Sequence, residues 1–190
     1  RSHYKQIDLD DELSIKIFDR FLRSLDFNRN IFSAEDIKSF SAYRVNFDDA
    51  IERGNLSIAY KIYQLNMQRR TERYEYALSL LKKEYNFELA NDKFVYDREE
   101  ANWAKNSQEL DELWRQRVKY DALNLKLAGK DWSKTQELLT KRYERAIKRL
   151  TQTSSEDVFQ TVMNSFARSI EAHTSYLSPR NAERFQMEMN

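Results

Sequence analysis

The chain has 190 residues, with 32 lysines and arginines against 31 aspartates and glutamates, and it contains no cysteine. A net charge of +1 gives no overall field that would attract nucleic acid or an anionic membrane, and the lack of cysteine excludes disulfides, thiol nucleophiles and zinc–thiolate sites. With two glycines and one proline, the chain lacks the turn residues of many-stranded sandwiches and barrels, so helices joined by polar loops are favoured.

The first predicted helix runs from about Asp10 to Asp26. Its start carries a dense acidic run, Asp8 to Glu12, where negative charge complements the positive end of the helix dipole. Apolar residues recur at three- and four-residue steps, which indicates one buried face. They are Leu9, Leu13, Ile17, Phe18, Phe21, Leu22 and Leu25.

Two more helices are predicted before residue 84. One begins at Ser33, which with Asp36 forms a weak capping box, and ends at Gly54 as a left-handed C-cap. The next, expected to be the longest, runs from about Asn55 to Lys83. Its apolar marks are Leu56, Ala59, Tyr60, Tyr63, Met67, Tyr74, Leu78 and Leu81.

The segment Tyr85–Lys105 breaks the helical period. We predict a long ordered loop held by its aromatic side chains, with a short strand at Phe94–Tyr96 and a boundary between subdomains within 85–106. A loop of this length in a compact domain is usually functional or interfacial. Its large apolar residues are Phe87, Leu89, Phe94, Val95, Tyr96 and Trp103.

The second half is predicted to be helical again. Three helices are opened by capping pairs, and a fourth by Ser178-Pro179, a cap followed by a first-turn proline, ahead of Phe185 and Met189. The pairs are Asn106 with Glu109, Ser133 with Gln136 and Ser154 with Asp157, and Gly129 ends the first of these helices. The expected fold is mainly α, an irregular bundle of about six to eight helices with one long aromatic-rich loop at 85–105.

One short string has catalytic potential. Ser79 to Lys82 matches the Ser-x-x-Lys pattern of some acyl enzymes. Its companion motifs and an oxyanion loop are missing, and a serine and a lysine on one helical face arise easily by chance. We therefore interpret the string as ordinary helix.

Other polar clusters have plain explanations. The only histidines, His3 and His173, stand at opposite ends of the chain without evident partners. The acidic run resembles a calcium loop but has no turn glycine. The residues thus predict no catalytic side chain, cofactor or metal ligand, and assign no substrate-binding residue.

The densest basic stretch surrounds Tyr143 and could bind phosphates or a single strand. A solvated helix face is the simpler interpretation, because positive charge is favoured near a helix C-terminus. The cations are Lys141, Arg142, Arg145, Lys148 and Arg149. Large aromatics (Trp103, Trp114, Trp132, Tyr60 and Tyr63) are more often core residues than interface anchors.

Several motifs, in order along nearly the whole chain, resemble one protein family. They are SHY leading to DLD (2–10), KIFDR (16–20), RY followed by YALS (73–79), LKL with GK (125–130), SEDVF (155–159) and HTSYLSPRN (173–181). This pattern is similar to the N-terminal helical region of bacterial tail-specific proteases, carboxyl-terminal processing peptidases of the Ser/Lys-dyad class. One departure is Glu171-Ala172, where relatives often have Asp-Pro, and this affects the local turn at 171–181.

The resemblance implies that residues 1–190 form an N-terminal helical domain that precedes a PDZ domain and a protease domain of the same chain. The catalytic serine and lysine would lie downstream, so this segment itself would not be an enzyme. The resemblance implies a location in the periplasm, peripheral to the inner membrane. It also implies partners: substrates with apolar C-terminal tails and a lipoprotein adaptor, but neither nucleic acid nor a transmembrane segment.

Two functions follow. The first is a non-catalytic domain that supports a protease, shapes the access of its substrates and binds its partners. The second is a stand-alone helical module that binds protein or nucleic acid. The gene sequence beyond residue 190 would distinguish them.

Overall fold

The computed structural model describes residues 2–52, 56–87, 93–153 and 155–177. Within these ranges the chain contains helices and connecting loops and no strand, which confirms the mainly α prediction. The helices are α1 (Ser2–Leu25), α2 (Ala34–Phe40), a 3-10 turn (Ser41–Tyr43), α3 (Phe47–Glu52), α4 (Ser57–Leu80), α5 (Ser107–Leu127), α6 (Trp132–Thr151) and α7 (Ser155–Leu177).

The chain divides into two compact units. The first contains the described residues of Arg1–Leu25, Phe40–Lys61 and Ser154–Asn190, and the second those of Asp26–Ser39 and Ile62–Thr153. The segment 85–106, where the sequence suggested a boundary, lies inside the second unit and is not where these two units divide.

The core of the first unit forms where α1 packs against α3 and α7. The ring of Phe47 contacts Phe18 edge-on, with centroids 5.4 Å apart, and stacks on Phe21 at 5.6 Å. Such aromatic pairs stabilise beyond their buried area. The predicted stripe of α1 supplies much of this core: Ile17, Phe18, Phe21, Leu22 and Leu25 are buried.

The start of α1 differs from the prediction. The helix begins at Ser2, so the acidic run Asp8–Glu12 lies inside α1 and not at its positive end. The dipole argument for that run was therefore wrong. The four-residue periodicity of the sequence becomes clear only from Leu9 onward, which explains why the first turns were missed.

The predicted single helix from Ser33 to Gly54 is wrong in its second half. Its start is confirmed: Ser33 Oγ accepts from Asp36 N–H and an Asp36 oxygen accepts from Ser33 N–H, both at 3.2 Å. The helix then gives way to the 3-10 turn and to α3, because every residue of 41–46 is exposed and none anchors a helix to the core. Gly54 lies outside the described residues.

The core of the second unit surrounds Trp114 on α5. Tyr74 of α4 meets its ring edge-on at 5.2 Å. The buried cluster is Ile31, Ala77, Leu81, Trp114, Val118, Ala122, Leu139 and Tyr143. Helices α5 and α6 pack together in this unit. The buried cluster around Trp114 is the hydrophobic core of the unit.

The ends of α5 confirm the prediction. Asn106 Oδ1 accepts from Glu109 N–H at 3.0 Å, and the Glu109 carboxylate accepts from Lys105 N–H at 2.8 Å. Gly129, with a φ of 86°, follows the helix. Its N–H donates to Lys126 O, and Lys130 N–H donates to Leu125 O, the paired bonds of a Schellman ending.

The start of α6 was predicted two residues late. Asp131, not Ser133, is the N-cap, and its carboxylate accepts from Lys134 N–H at 2.8 Å. Gln136 instead donates from its side-chain amide to Leu81 O at 2.7 Å. Aspartate and serine are both good N-cap residues. In this structure Asp131 is the cap, while Gln136, the predicted partner of Ser133, bonds to Leu81.

Two further expectations concern α4 and the C-terminal end. Helix α4 spans 24 residues, as α1 does, so it is not longer than every other helix. Helix α7 begins at Ser155, as the sequence indicated, but the cap Ser154 and the helix predicted after Ser178-Pro179 with Phe185 and Met189 lie outside the described residues.

Candidate binding cleft

The Ser-x-x-Lys string lies across the C-terminal end of α4. The Ser79 hydroxyl donates a 2.6 Å hydrogen bond to Tyr76 O of its own helix, and Lys82 lies beyond the last residue of α4. A nucleophilic serine needs a base that accepts its proton and donors for the oxyanion. Neither accompanies the exposed Ser79 in the described residues.

Metal-binding potential is equally lacking in what the structure describes. No group of three or more histidine, cysteine, aspartate or glutamate side chains gathers there in a way that could hold a metal ion. The side chains of His3 and His173 fall outside the described part of the chain.

The aromatic loop forms one wall of a cleft. Phe94 stacks on Tyr120 of α5, with ring centroids 4.6 Å apart, and meets Tyr96 at 6.4 Å. Residues 93–106 are irregular, so the predicted loop is confirmed where it is described and the strand at Phe94–Tyr96 is wrong. No neighbouring strand exists among the described residues to pair with it, so the segment is fixed by side chains.

The base of the loop is tied to the segment that follows α1. Arg29 donates from its guanidinium to Ala101 O at 2.8 Å and lies 5.1 Å above the Trp103 ring. Ala34 N–H donates to Ala104 O at 2.6 Å. These contacts hold the C-terminal end of the described loop, while the stacking of Phe94 on Tyr120 holds its other end.

The cleft between this loop and α5 has a volume of about 330 Å³. Its entrance carries two of the most exposed large apolar side chains, Tyr96 at 78% and Val95 at 56%. Trp114 lies at its inner side, with the Arg117 guanidinium 4.4 Å from the ring centroid. Five polar residues and one leucine complete the lining: Asn28, Asn30, Arg98, Gln116, Asp121 and Leu113.

Charge in the cleft is mixed. Burial lowers the pKa of the Arg98 guanidinium, and Asp26 partly opposes that effect. Arg98 donates to the carbonyls of Arg29 and Asn102 at 3.4 and 3.3 Å, while its buried Nε has no partner in the described residues. A half-buried guanidinium whose Nε is buried without an acceptor favours a nearby acceptor.

Asp121 supplies the negative charge of the cleft. Its carboxylate accepts a 2.7 Å hydrogen bond from the Tyr143 hydroxyl and lies 3.8 Å from Arg142. Burial, and then the charge of Asp121, raises the pKa of Tyr143. Asp121 is thus already engaged by protein groups, which leaves the cations as the incompletely satisfied charges of this cleft.

The composition of this cleft is typical of a binding site. Its lining includes neither serine, cysteine nor histidine, and a pocket with aromatic walls and a few polar groups is a common setting for peptide or small-ligand contacts. The sequence pointed to Phe94, Val95 and Tyr96 and named Trp114 as a core or interface aromatic, but the other α5 residues of the cleft were missed. Their spacing could have identified them. The residues that recur at three- and four-residue steps, and so share one side of a helix, are Leu113, Gln116, Arg117 and Tyr120.

Of the other residues named from the sequence, Trp114 lines the cleft and the rest lie elsewhere. Tyr143 is 1% exposed, so it cannot stack on a base in the way that a nucleic-acid site at the basic stretch would require. Trp114 is core, and Trp132 packs half-buried against the same cluster. Tyr60 and Tyr63 are half-buried on α4.

Comparison with known proteins agrees with the motifs. Residues 1–180 match a family described as the tail specific protease N-terminal domain. A curated relative, the tail-specific protease of Haemophilus influenzae, is 48% identical over 191 residues, covering all of this chain and 27% of the relative. The chain therefore spans about a quarter of that relative's length. None of the described helices is both long and apolar enough to cross a membrane.

Proposed function

The chain belongs to the family of tail-specific protease N-terminal domains, and we propose that it serves such a protease as a non-catalytic wall that guides protein substrates. The observation that carries this proposal is the exposed aromatic edge of the cleft. Tyr96 and Val95 are presented to solvent on a loop that stacking and hydrogen bonds hold in place. A preformed apolar edge can hold a partly unfolded chain at little entropic cost.

The character of the cleft supports this role. Its volume of about 330 Å³ accommodates one or two side chains. Aromatic residues supply large contact area, while backbone and amide groups of the lining can pair with an extended backbone. A cleft lining without serine, cysteine or histidine is compatible with a role in binding.

The wider setting is part of the same proposal. The parent protease would act in the periplasm as a serine endopeptidase with a Ser/Lys dyad. It would degrade or process proteins from apolar C-terminal tails, and its PDZ and protease domains would pack with this domain. A lipoprotein adaptor is a further expected partner. The 48% identity to a tail-specific protease over the whole chain supports these expectations.

The test uses the full-length protease carrying Tyr96→Ala with Val95→Ser. We expect kcat/KM for a protein substrate with an apolar C-terminal tail to fall about five-fold, mainly through KM, since apolar contacts of this size contribute on the order of 1 kcal/mol. The matched control is Leu127→Ser, because Leu127 is 77% exposed at the end of α5 and does not line the cleft. Equal turnover for both variants and the unchanged protease would contradict the proposal.

A further inference from the structure

A continuous row of cations follows the exposed side of α6. Its members recur at three-, four- and seven-residue steps, so they share one side of the helix. Over about 15 residues this row extends roughly 22 Å along the axis. We call it the basic stripe, and it consists of Lys134, Lys141, Arg142, Arg145, Lys148 and Arg149.

The opposite side of α6 fixes the stripe in place. Leu139, Tyr143 and Ala146 are buried in the second unit. The stripe therefore cannot turn inward. An open depression of about 620 Å³ lies along it, lined by Leu138 and Gln152 as well as by four of the cations.

Neutralisation of the stripe is incomplete and confined to one end. Glu137 pairs with Lys134 at 3.6 Å and with Lys141 at 3.1 Å, and these lysines lower the pKa of Glu137. Arg142 lies 3.8 Å from Asp121. By contrast, no ion pair within the described part of the chain involves Arg145, Lys148 or Arg149.

The helix dipole does not account for the whole stripe. Favourable placement near the C-terminus applies to the last turn, which contains Lys148 and Arg149. Arg145 and the cations before it lie outside that turn. Some other helical cations have acidic partners three or four residues away, such as Lys16 with Glu12 and Arg115 with Glu112.

We propose that the basic stripe is a docking surface for an acidic segment of a partner protein. Arginine presents a planar fork that pairs bidentately with carboxylates, and Arg142, Arg145 and Arg149 recur at three- and four-residue steps that match carboxylates along an acidic helix. Electrostatic complementarity of this kind selects a partner and speeds its encounter.

Other occupants fit the stripe less well. A helix that lies on a membrane buries its apolar face in the lipid, but the apolar face of α6 is buried in the protein core. Sequence-tolerant binding of a single strand uses aromatic platforms, and Tyr143, the tyrosine within this stretch, is buried. Protein carboxylates require neither feature.

The experiment uses the full-length protease and an acidic helical peptide of about 20 residues, long enough to cover the stripe. Binding is followed by fluorescence anisotropy at low salt. Replacing Arg145, Lys148 and Arg149 by Gln should raise the Kd about tenfold and weaken its salt dependence. The control with the same net charge replaces Lys82, Lys83 and Lys93 by Gln, and its Kd should change by less than about twofold.

A charge reversal provides the complementary measurement. Arg145→Glu with Arg149→Glu should raise the Kd for the acidic peptide by more than the neutral glutamine variant does, because the new carboxylates repel it. Equal effects of the stripe and control variants would overturn the proposal. So would tighter binding of the unchanged protein to phosphatidylglycerol vesicles than to the peptide, or a lack of peptide binding at low salt.

Discussion

The indole Nε1 of Trp114 donates a 2.7 Å hydrogen bond to the backbone carbonyl of Asn30, a residue 84 positions earlier in the chain. Trp114 is 1% exposed and packs edge-on against Tyr74. The same ring lies at the inner side of the binding cleft, with Arg117 above it. Stability of the second unit and the shape of the cleft therefore depend on one side chain.

Trp114→Phe should destabilise the 190-residue chain by about 2 kcal/mol, because the smaller ring leaves a void and the Asn30 carbonyl loses its donor. Trp132→Phe is the matched control, since Trp132 is only half-buried, and it should cost less than about 1 kcal/mol. Urea unfolding followed by circular dichroism measures both. Similar losses for the two variants would show that the hydrogen bond and full burial contribute little.

Ser14→Ala should destabilise the first unit by about 1–2 kcal/mol. The Ser14 hydroxyl is fully buried, accepts from the N–H groups of Phe47 and Asp48 at 2.7 and 3.2 Å, and donates to Arg44 O at 2.8 Å. Its removal leaves two amides at the start of α3 without an acceptor. Ser24→Ala is the control, because exposed Ser24 bonds only to Phe21 O of its own helix. Amide hydrogen exchange at Phe47 and Asp48 should increase only in the Ser14 variant.

Asp26 should show an unusual pH dependence. Burial raises its pKa above the ordinary value of 3.8, although its carboxylate accepts from the N–H groups of Asn30, Ile31 and Phe32. A raised acid pKa means that the folded state binds the proton more tightly. The stability contributed by Asp26 is thus full below pH 3.8 and is lost as pH rises through its folded pKa. A carboxyl NMR titration of Asp26 with a midpoint below 3.8 would contradict this.

Asp26→Asn tests the hydrogen bonds of the same residue at neutral pH. An amide offers one acceptor oxygen where the carboxylate uses two, so at least one of the three N–H groups loses its partner. We expect a loss of about 1–3 kcal/mol in the free energy of unfolding. Gain of stability at neutral pH would mean that removing the buried charge stabilises the fold by more than the lost hydrogen bond costs.

Phe94→Ala should loosen the aromatic loop without unfolding the helices. The ring stacks 4.6 Å from Tyr120, a contact that contributes about 0.5–1.5 kcal/mol beyond its buried area. Limited proteolysis should cut within residues 93–106 several times faster in this variant. Val95→Ala is the control, since Val95 is 56% exposed. Unchanged cleavage of the Phe94 variant would show that the hydrogen bonds at the loop base hold it alone.

Local signals in the sequence predicted much of the helical structure. The capping pair Ser33–Asp36, the capping pair Asn106–Glu109 and the ending at Gly129 are decided within a few residues, and all three were predicted correctly. Long-range effects were missed. The break after Phe40 depends on which residues meet the core, and the cap of α3 is supplied by Ser14 from another helix.

The cleft shows the same division. Phe94 and Tyr96 were identified because they belong to a long aromatic-rich segment that follows no helical period, and such loops are often functional. Arg98 and Asp121 could not be assigned to the same place, since their proximity follows from the packing of the loop on α5 and on residues 28–34. The spacing of these residues in the sequence does not indicate that they lie close together.

The two compact units are interleaved along the chain, and this order has a consequence for synthesis on the ribosome. Helix α1 is translated before the second unit is complete, yet α7, which it packs against, is translated after it. Closing a loop of that length is slow and entropically costly. The second unit draws on Asp26–Ser39 and Ile62–Thr153, so it can fold during translation while the apolar stripe of α1 still awaits its partner and needs protection from aggregation.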